Sequence, residues 1–345
     1  MAERYRQAGV DIDAADAAKT AIRDLVRSTF DANVVGGFGG FGGLYAFNGT
    51  GRSVLVASAD SVGTKVKLAI ALDRHDTVGA DLVNHCVNDI LACGARPLFF
   101  LDYLGVSRVD QRQIEQLVGG VAAACRENGC ALIGGETAVL PDLYQPGEYD
   151  LAGFIVGTVE RDQIVDGRTI QAGDVLLGLP STGLHTNGYT LARRLLGLTG
   201  DPAHDRPRLE QYEPALGTTW AAALMAVHRS YLAPLQPLLA AGLVRGLAHI
   251  TGGGLIDNVP RMLPPGLGAR FRQTAWPVPP IFEALRRLGA LAPAELYRVF
   301  NMGLGLVLAC APADAGEVRR LLPEALVVGE VVEPVNNSAR VTIES

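Results

Sequence analysis

Six stretches of the chain combine residue types that could do chemistry. One is Asp60-Ser61-Val62-Gly63-Thr64-Lys65. A carboxylate leaving a strand can bind a hard cation, and the N–H, hydroxyl and ammonium groups of Gly63, Thr64 and Lys65 can contact phosphate. Only three of the 30 basic residues are lysines, so Lys65 departs from the chain's own habit. No Gly-Lys dipeptide occurs, which excludes a Walker A loop; the plainer alternative is a capped turn into a helix. A second set is Asp81, His85 and Asp89, spaced by four and sharing one side of a helix. One or two of these carboxylates could complete a magnesium site with Asp60, because Mg2+ takes few protein carboxylates and fills its shell with phosphate and water. The same pattern usually marks a solvated helix face.

Glycines supply the third stretch, Gly36-Gly37-Phe38-Gly39-Gly40-Phe41-Gly42-Gly43. Gly37, Gly39 and Gly42 fit G-x-G-x-x-G, but a dinucleotide fingerprint needs a strand before and a helix after. Here a helix precedes and a strand follows. Gly37, Gly39, Gly40 and Gly42 could let backbone N–H groups approach phosphate oxygens; a flexible surface loop is the alternative, and Phe38 and Phe41 count against it. The fourth is Ala131-Leu132-Ile133-Gly134-Gly135-Glu136-Thr137, an apolar strand ending at a carboxylate. Strand ends open onto clefts in α/β folds, so Glu136 is either a site residue or a strand exit. The fifth and sixth are Ser181-Thr182-Gly183-Leu184-His185-Thr186-Asn187-Gly188 and His249-Ile250-Thr251-Gly252-Gly253-Gly254. Both read as strand, loop, then helix, and a helix N-terminus favours anions. Together they suit a phosphate, although each histidine alone could be structural.

The elements that must position these groups are legible. Residues 13–29 read as a helix capped by Asp11 or Asp13, with Ala17, Ala21, Leu25 and Val26 near helical spacing. Residues 79–93 give the clearest amphipathic helix: Leu82, Val83, Cys86, Val87, Ile90 and Leu91 on one face, Asp81, Asn84, His85, Asn88 and Asp89 on the other. Strands are expected over 44–47, 54–58, 97–106, 130–134 and 150–159, and a helix over 110–128. Turn signals at Asp166-Gly167 and Ala172-Gly173-Asp174 set a boundary near residue 170. Beyond it, strands near 175–179, 244–250, 303–310 and 325–332 alternate with helices near 188–197, 217–228 and 279–288. Alternation in both halves predicts α/β or α+β.

With 345 residues, the chain predicts two domains: 1–170 and 171–345. Nearly half the residues are apolar and 19% are charged, the reverse of a disordered chain. A net charge of −6 argues against general nucleic-acid binding. Five cysteines without a C-x-x-C pair argue against a disulfide framework or a zinc site and fit a reducing cytosol. No apolar leader opens the chain, and the longest apolar stretch, 304–311, is too short to span a bilayer.

Taken in order, these segments resemble the phosphoribosylformylglycinamidine cyclo-ligase (aminoimidazole ribonucleotide synthetase) family nearly end to end. The resemblance rests on YRQAGVDIDA, VVGGFGGFGGLYAF, ADSVGTK, GADLVNHCVNDILACGARPLFFLDYL, GCALIGGETA, YDLAGFIVGTVE, STGLHTNGYTLARRLL, HITGGGLIDNVPRMLP and VFNMGLGLVLA. It implies the two-domain ATP-binding synthetase fold, with a homodimer formed through the N-terminal domain. It implies ATP-dependent closure of formylglycinamidine ribonucleotide to aminoimidazole ribonucleotide in purine biosynthesis. It also implies roles by position: Asp60 and Asp89 for Mg2+, Lys65 and the glycine run for ATP phosphates, Glu136 and His185 for proton handling. His185, Asn187, His249 and Thr251 would hold the ribonucleotide. Ala59, Ser61 and Val139 depart from the family's usual Thr, Gly and Glu, and Arg23, placed with the ATP, stands where some members carry lysine. A selenophosphate synthetase would carry a Cys or selenocysteine in an N-terminal loop, and no Cys precedes Cys86. A thiamine-phosphate kinase lacks the HITGGG block.

Overall fold

A computed structural model describes residues 2–47, 52–334 and 339–344. The first half opens with helices α1 (Glu3–Gln7) and α2 (Ile12–Arg27). Asp11 is the cap of α2: its carboxylate accepts the Ala14 N–H at 2.9 Å. No residue of α2 is buried, and Leu25 is 70% exposed.

Strands β1 (Val34–Val35), β2 (Gly43–Ala46), β3 (Ser53–Ser61), β4 (Arg96–Val106), β5 (Ala131–Val139) and β6 (Tyr149–Glu160) build one sheet in the order β1-β2-β3-β6-β4-β5. Only the β4–β5 pair is parallel. Helices α3 (Val66–Leu72), α4 (Asp76–Leu91) and α5 (Gln111–Glu127) follow β3 and β4. α4 and α5 press together through two glycines. A Cβ on Gly79 would lie 2.4 Å from the Leu117 carbonyl oxygen, and one on Gly120 would lie 2.3 Å from that of Asp76. That approach fixes the rotation of α4, whose apolar residues Leu82, Val83, Cys86, Val87 and Ile90 enter the core. The opposite sheet face stands open, with Phe154 exposed and Phe99, Leu101 and Val156 half-buried.

The second sheet uses β7 (Val175–Pro180), β10 (Gly246–His249), β11 (Gly268–Arg272), β12 (Leu304–Cys310), β13 (Leu326–Val332) and β14 (Val341–Glu344), in the order β10-β12-β7-β13-β11-β14. A two-stranded ribbon, β8 (Tyr212–Glu213) with β9 (Thr218–Thr219), lies apart. β12 is buried along its whole length.

Several expectations needed revision. The strand expected at 130–134 runs to Val139, because parallel pairing with β4 continues through the two glycines. The helix expected over 217–228 is only Trp220–Leu224. Helices Pro202–Glu210 and Leu232–Ala240 were not anticipated, since both carry an interior proline, Pro207 and Pro237. All five cysteines are free and buried.

Candidate active site at the domain junction

The polar face of α4 is not solvated. Asp81, Asn84, His85, Asn88 and Asp89 are all buried, and Asp81, Asn84 and Asn88 bond to residues 228–231 of the second half. Asp81 Oδ1 accepts the His228 N–H at 2.7 Å. Asn84 donates to the His228 carbonyl at 2.7 Å, and Asn88 donates to that of Arg229 at 2.8 Å while its Oδ1 accepts the Tyr231 N–H at 2.9 Å. Residues 226–231 form neither helix nor strand, and these bonds tie that segment to α4. Each side chain satisfies a backbone group that would otherwise be buried unpaired.

Lys65 belongs to the same junction. Its Nζ lies 2.7 Å from Asp81 Oδ2 and 2.7 Å from the Ala226 carbonyl, with neither side chain exposed. Burial pushes the lysine down and the aspartate up from their ordinary values. Its ammonium is thus enclosed within protein, where it meets no phosphate.

Around this seam runs a hydrogen-bonded ring of acids and imidazoles. Ser58 Oγ donates to Asp89 Oδ2 at 3.1 Å. Asp89 Oδ1 is 2.8 Å from His249 Nδ1, and His249 Nε2 is 3.1 Å from His228 Nε2. His228 Nδ1 reaches Thr186 Oγ1 at 3.4 Å, and Thr186 Oγ1 lies 2.6 Å from His85 Nδ1. His85 Nε2 is 3.5 Å from Asp60 Oδ1, and the Asp60 and Asp89 carboxyls come within hydrogen-bonding reach of each other. Asp60 is pushed up to about 7, first by burial and further by Asp89, with His85 opposing. His249 falls to about 3, first by burial. Two carboxylates side by side, with no lysine or arginine ion-paired to either among the described residues, fit a divalent cation.

His185 backs this ring. It stacks on His228 with ring centroids 4.0 Å apart, takes a left-handed backbone at φ 61°, and accepts the Thr182 N–H at Nε2 at 3.1 Å. Its Nδ1 is buried with no partner among the described residues. Burial, then His249, hold it well below the ordinary imidazole range. Asn187 and Thr251 are half-buried, and the two loops approach each other there: Asn187 Oδ1 would lie 3.1 Å from a Cβ on Gly252. A cavity of about 380 Å3 opens beside the first loop, lined by Thr182, Gly183, Thr218, Ala226 and Pro279.

The glycine run is tied to the second half by Arg261. Its guanidinium lies 3.7 Å from the centroid of the buried Phe41 ring, donates to the Gly40 carbonyl at 2.9 Å and to Asn258 Oδ1 at 3.0 Å. Gly37 and Gly39 face open space. At Gly42 a Cβ would stand 2.7 Å from Val56 Cγ1, so that position must stay bare. Arg23, on α2, is exposed.

Glu136 is not brought in. Its register partner is Tyr103, which pairs with Ala152, which pairs with Ser61. Asp60 pairs with Gly153, one residue out of phase, so side-chain alternation puts Glu136 on the open sheet face and Asp60 on the helix face. Ala59 and Ser61 share that open face, which leaves the Asp60 side untouched by those two departures. Sequence reasoning missed His228 and Arg261. The signal was scarcity: four of the chain's six histidines converge here.

Two α/β halves joined by a buried acid–imidazole seam define a two-domain synthetase architecture, and the comparisons agree. The AIR synthase related protein family matches with its N-terminal domain over residues 41–159 and its C-terminal domain over residues 171–342. A phosphoribosylformylglycinamidine cyclo-ligase of Geobacillus kaustophilus is 49% identical over 339 residues, 96% of each chain. One of Gloeobacter violaceus is 50% identical over 335 residues, 95% of this chain and 97% of that one. The solved structure of AaThiL with AMPPCP and TMP superposes with a TM-score of 0.62 at 18% identity, covering 93% of this chain and 91% of that one. The chain belongs to the phosphoribosylformylglycinamidine cyclo-ligase family.

Proposed function

We propose that the acid–imidazole seam is the cation and phosphate centre of an ATP-dependent cyclo-ligase. Family membership makes the reaction the cyclisation of formylglycinamidine ribonucleotide to aminoimidazole ribonucleotide in purine biosynthesis, with release of ADP and phosphate. An amide carbonyl is a poor electrophile and its oxygen a poor leaving group. Phosphorylation of the formyl oxygen by ATP converts that oxygen into departing phosphate, and the amidine nitrogen attacks the same carbon. The observation that carries the assignment is the meeting of Asp60 and Asp89 from the first half with His249 and Thr186 from the second.

In this reading Asp60 and Asp89 hold the divalent cation, Mg2+ in the simplest case, on the helix face of β3. A bound Mg2+ offsets charge on the transferred phosphoryl group. The backbone of Gly37, Gly39 and Gly40 covers the ATP phosphates, with Arg261 and Phe41 fixing the loop. Arg23 would reach nucleotide only by closure of α2. Asn187 and Thr251, at the open side, orient the ribonucleotide, while His185 and His249 shape the wall behind them. Lys65 acts through the domain junction. Residues 1–170 would thus carry nucleotide and cation, and 171–345 would complete the cleft.

The open apolar face of the first sheet supports a homodimer in which a second copy covers Phe154, Leu101 and Glu136. Glu136 then belongs to that interface and not to proton handling within one chain. Among the described residues no helix is long and apolar enough to cross a membrane; together with five free thiols, this supports the cytosol.

Purified chain mixed with ATP, Mg2+ and formylglycinamidine ribonucleotide should release ADP and form the aminoimidazole. Asp60→Asn should lower kcat roughly 100-fold or more while the fold holds. Absence of product from the unmodified chain overturns the reaction; an unchanged rate in Asp60→Asn overturns the site.

A further inference from the structure

The matched domains cover residues 41–159 and 171–342, so α1 and α2 lie outside both. α1 is nevertheless fastened to the second half of the chain. The buried Glu295 carboxylate accepts the Arg4 N–H at 2.6 Å and the Tyr5 N–H at 3.1 Å, both through Oε1. N–H groups in the first turn of a helix have no partner within it, and Ala2, just before α1, offers no side-chain acceptor. A side chain 290 residues away therefore does the work of a local cap. At the other end of α1, Arg194 donates to the Gln7 carbonyl. A few residues on, Arg298 joins Asp13 at 2.6 Å to Asp257 at 3.1 Å.

These partners belong to the helices that back the two histidine loops. Arg194 lies in the helix Tyr189–Leu195, which directly follows the loop 181–188, and the buried Tyr5 phenol lies against the Gly188 N–H at its start. Gly188 takes a left-handed backbone at φ 81°, and a Cβ there would stand 2.4 Å from Phe300 Cε1. Glu295 and Arg298 lie in the helix Pro293–Val299. That helix presses on the loop 249–254, since a Cβ on Gly254 would stand 2.1 Å from the Tyr297 carbonyl oxygen. α1 thus spans the supports of both loops, and its phenol touches the residue next to Asn187.

We propose that α1 is a strap that sets the spacing of the two loops, with Tyr5 and Glu295 as positioning residues for the ribonucleotide. This rests on the reading that Asn187 and Thr251 orient that substrate. A loop whose ends are already fixed loses less freedom when it closes on a ligand, so the strap acts on affinity. Phosphoryl transfer at the acid–imidazole seam is left to other residues.

Tyr5→Phe removes one oxygen and keeps the ring. Glu295→Ala removes the shared acceptor, whereas Glu295→Gln keeps an oxygen in its place. Tyr5→Phe and Glu295→Ala should each raise the KM for formylglycinamidine ribonucleotide roughly three- to tenfold, the span of one lost hydrogen bond. The kcat and the KM for ATP should stay within about twofold. Glu295→Gln should restore most of the affinity. Amide exchange over residues 186–189 should quicken in Tyr5→Phe, a readout independent of turnover. Asn187→Ala should raise the same KM at least as much. A ribonucleotide KM raised by Asn187→Ala but unmoved by Tyr5→Phe and Glu295→Ala, whatever their Tm, makes α1 purely structural and overturns the strap alone. A KM unmoved by Asn187→Ala would overturn the underlying placement of the substrate as well.

Discussion

Lys65→Met tests the domain junction directly, because the structure gives Lys65 a buried anion where the sequence suggested a phosphate. The ammonium sits 2.7 Å from Asp81 Oδ2, and both side chains are inaccessible to water. Removing it leaves the Asp81 carboxylate with the His228 N–H at 2.7 Å as its remaining donor. Stranding one member of a buried pair costs about 3–5 kcal/mol. With unfolding entropy of roughly 2.1 cal/mol/K per residue over 345 residues, Tm should fall by about 4–7 °C if the chain unfolds as one unit. Asp81→Asn added to Lys65→Met removes the stranded charge and keeps Oδ1 as acceptor for His228, so the double variant should recover most of the loss. Calorimetry and urea unfolding of wild type, both single variants and the double variant would measure the coupling. A single variant within about 1 kcal/mol of wild type, or a double variant no better than the single, refutes the reasoning. The folded Lys65→Met protein should keep its KM for ATP within a few-fold. A tenfold rise with stability intact would restore the phosphate role.

Two other outcomes follow from the seam. Stability should fall on acidification below about pH 6.5, the ordinary imidazole value at which the unfolded chain begins to bind protons. His185, His228 and His249 stay neutral in the fold, their values lowered by burial. Asp60 works the other way: raised to about 7, it holds a proton in the fold that the unfolded chain has released, so its contribution is lost as pH rises through 7. Three imidazoles against two raised carboxyls, Asp60 and Asp81, leave a net loss of up to roughly 1.4 kcal/mol per pH unit between about 6 and 4; a urea-midpoint profile that rises toward pH 5 contradicts this. Arg261→Met should free the glycine loop, giving faster amide exchange at residues 36–43 and a several-fold higher KM for ATP with little change in Tm. Unchanged loop exchange would show that the arginine does not hold it.

Much of the site could be read from residue type and spacing. Asp60 after an apolar strand, His85 and Asp89 one helical turn apart, and two loops each pairing a histidine with glycines all signal a common centre. The structure brings them together. The reading erred where chemistry depends on what lies opposite a side chain. The polar face of α4 looked either solvated or metal-binding, and most of it instead holds the backbone of residues 226–231. Lys65 looked like a phosphate ligand because nothing local pairs with it; Asp81 reaches it only after α3 and the turn into α4 bring it back. Glu136 looked like a site residue because it ends an apolar strand, but one step of β register puts it behind the sheet.

The sequence by itself determined the elements and the cast of reactive groups, since periodicity and turn chemistry are local properties that each segment carries with it. Tertiary structure alone decided which groups meet. Face, register and interdomain contact arise from packing between segments remote in sequence, as in the 160-residue separation of Asp89 and His249. His228 shows the difference most plainly. Nothing beside it in the chain marks it, yet the docking of α4 against its backbone places its ring between His249 and Thr186, at the middle of the seam.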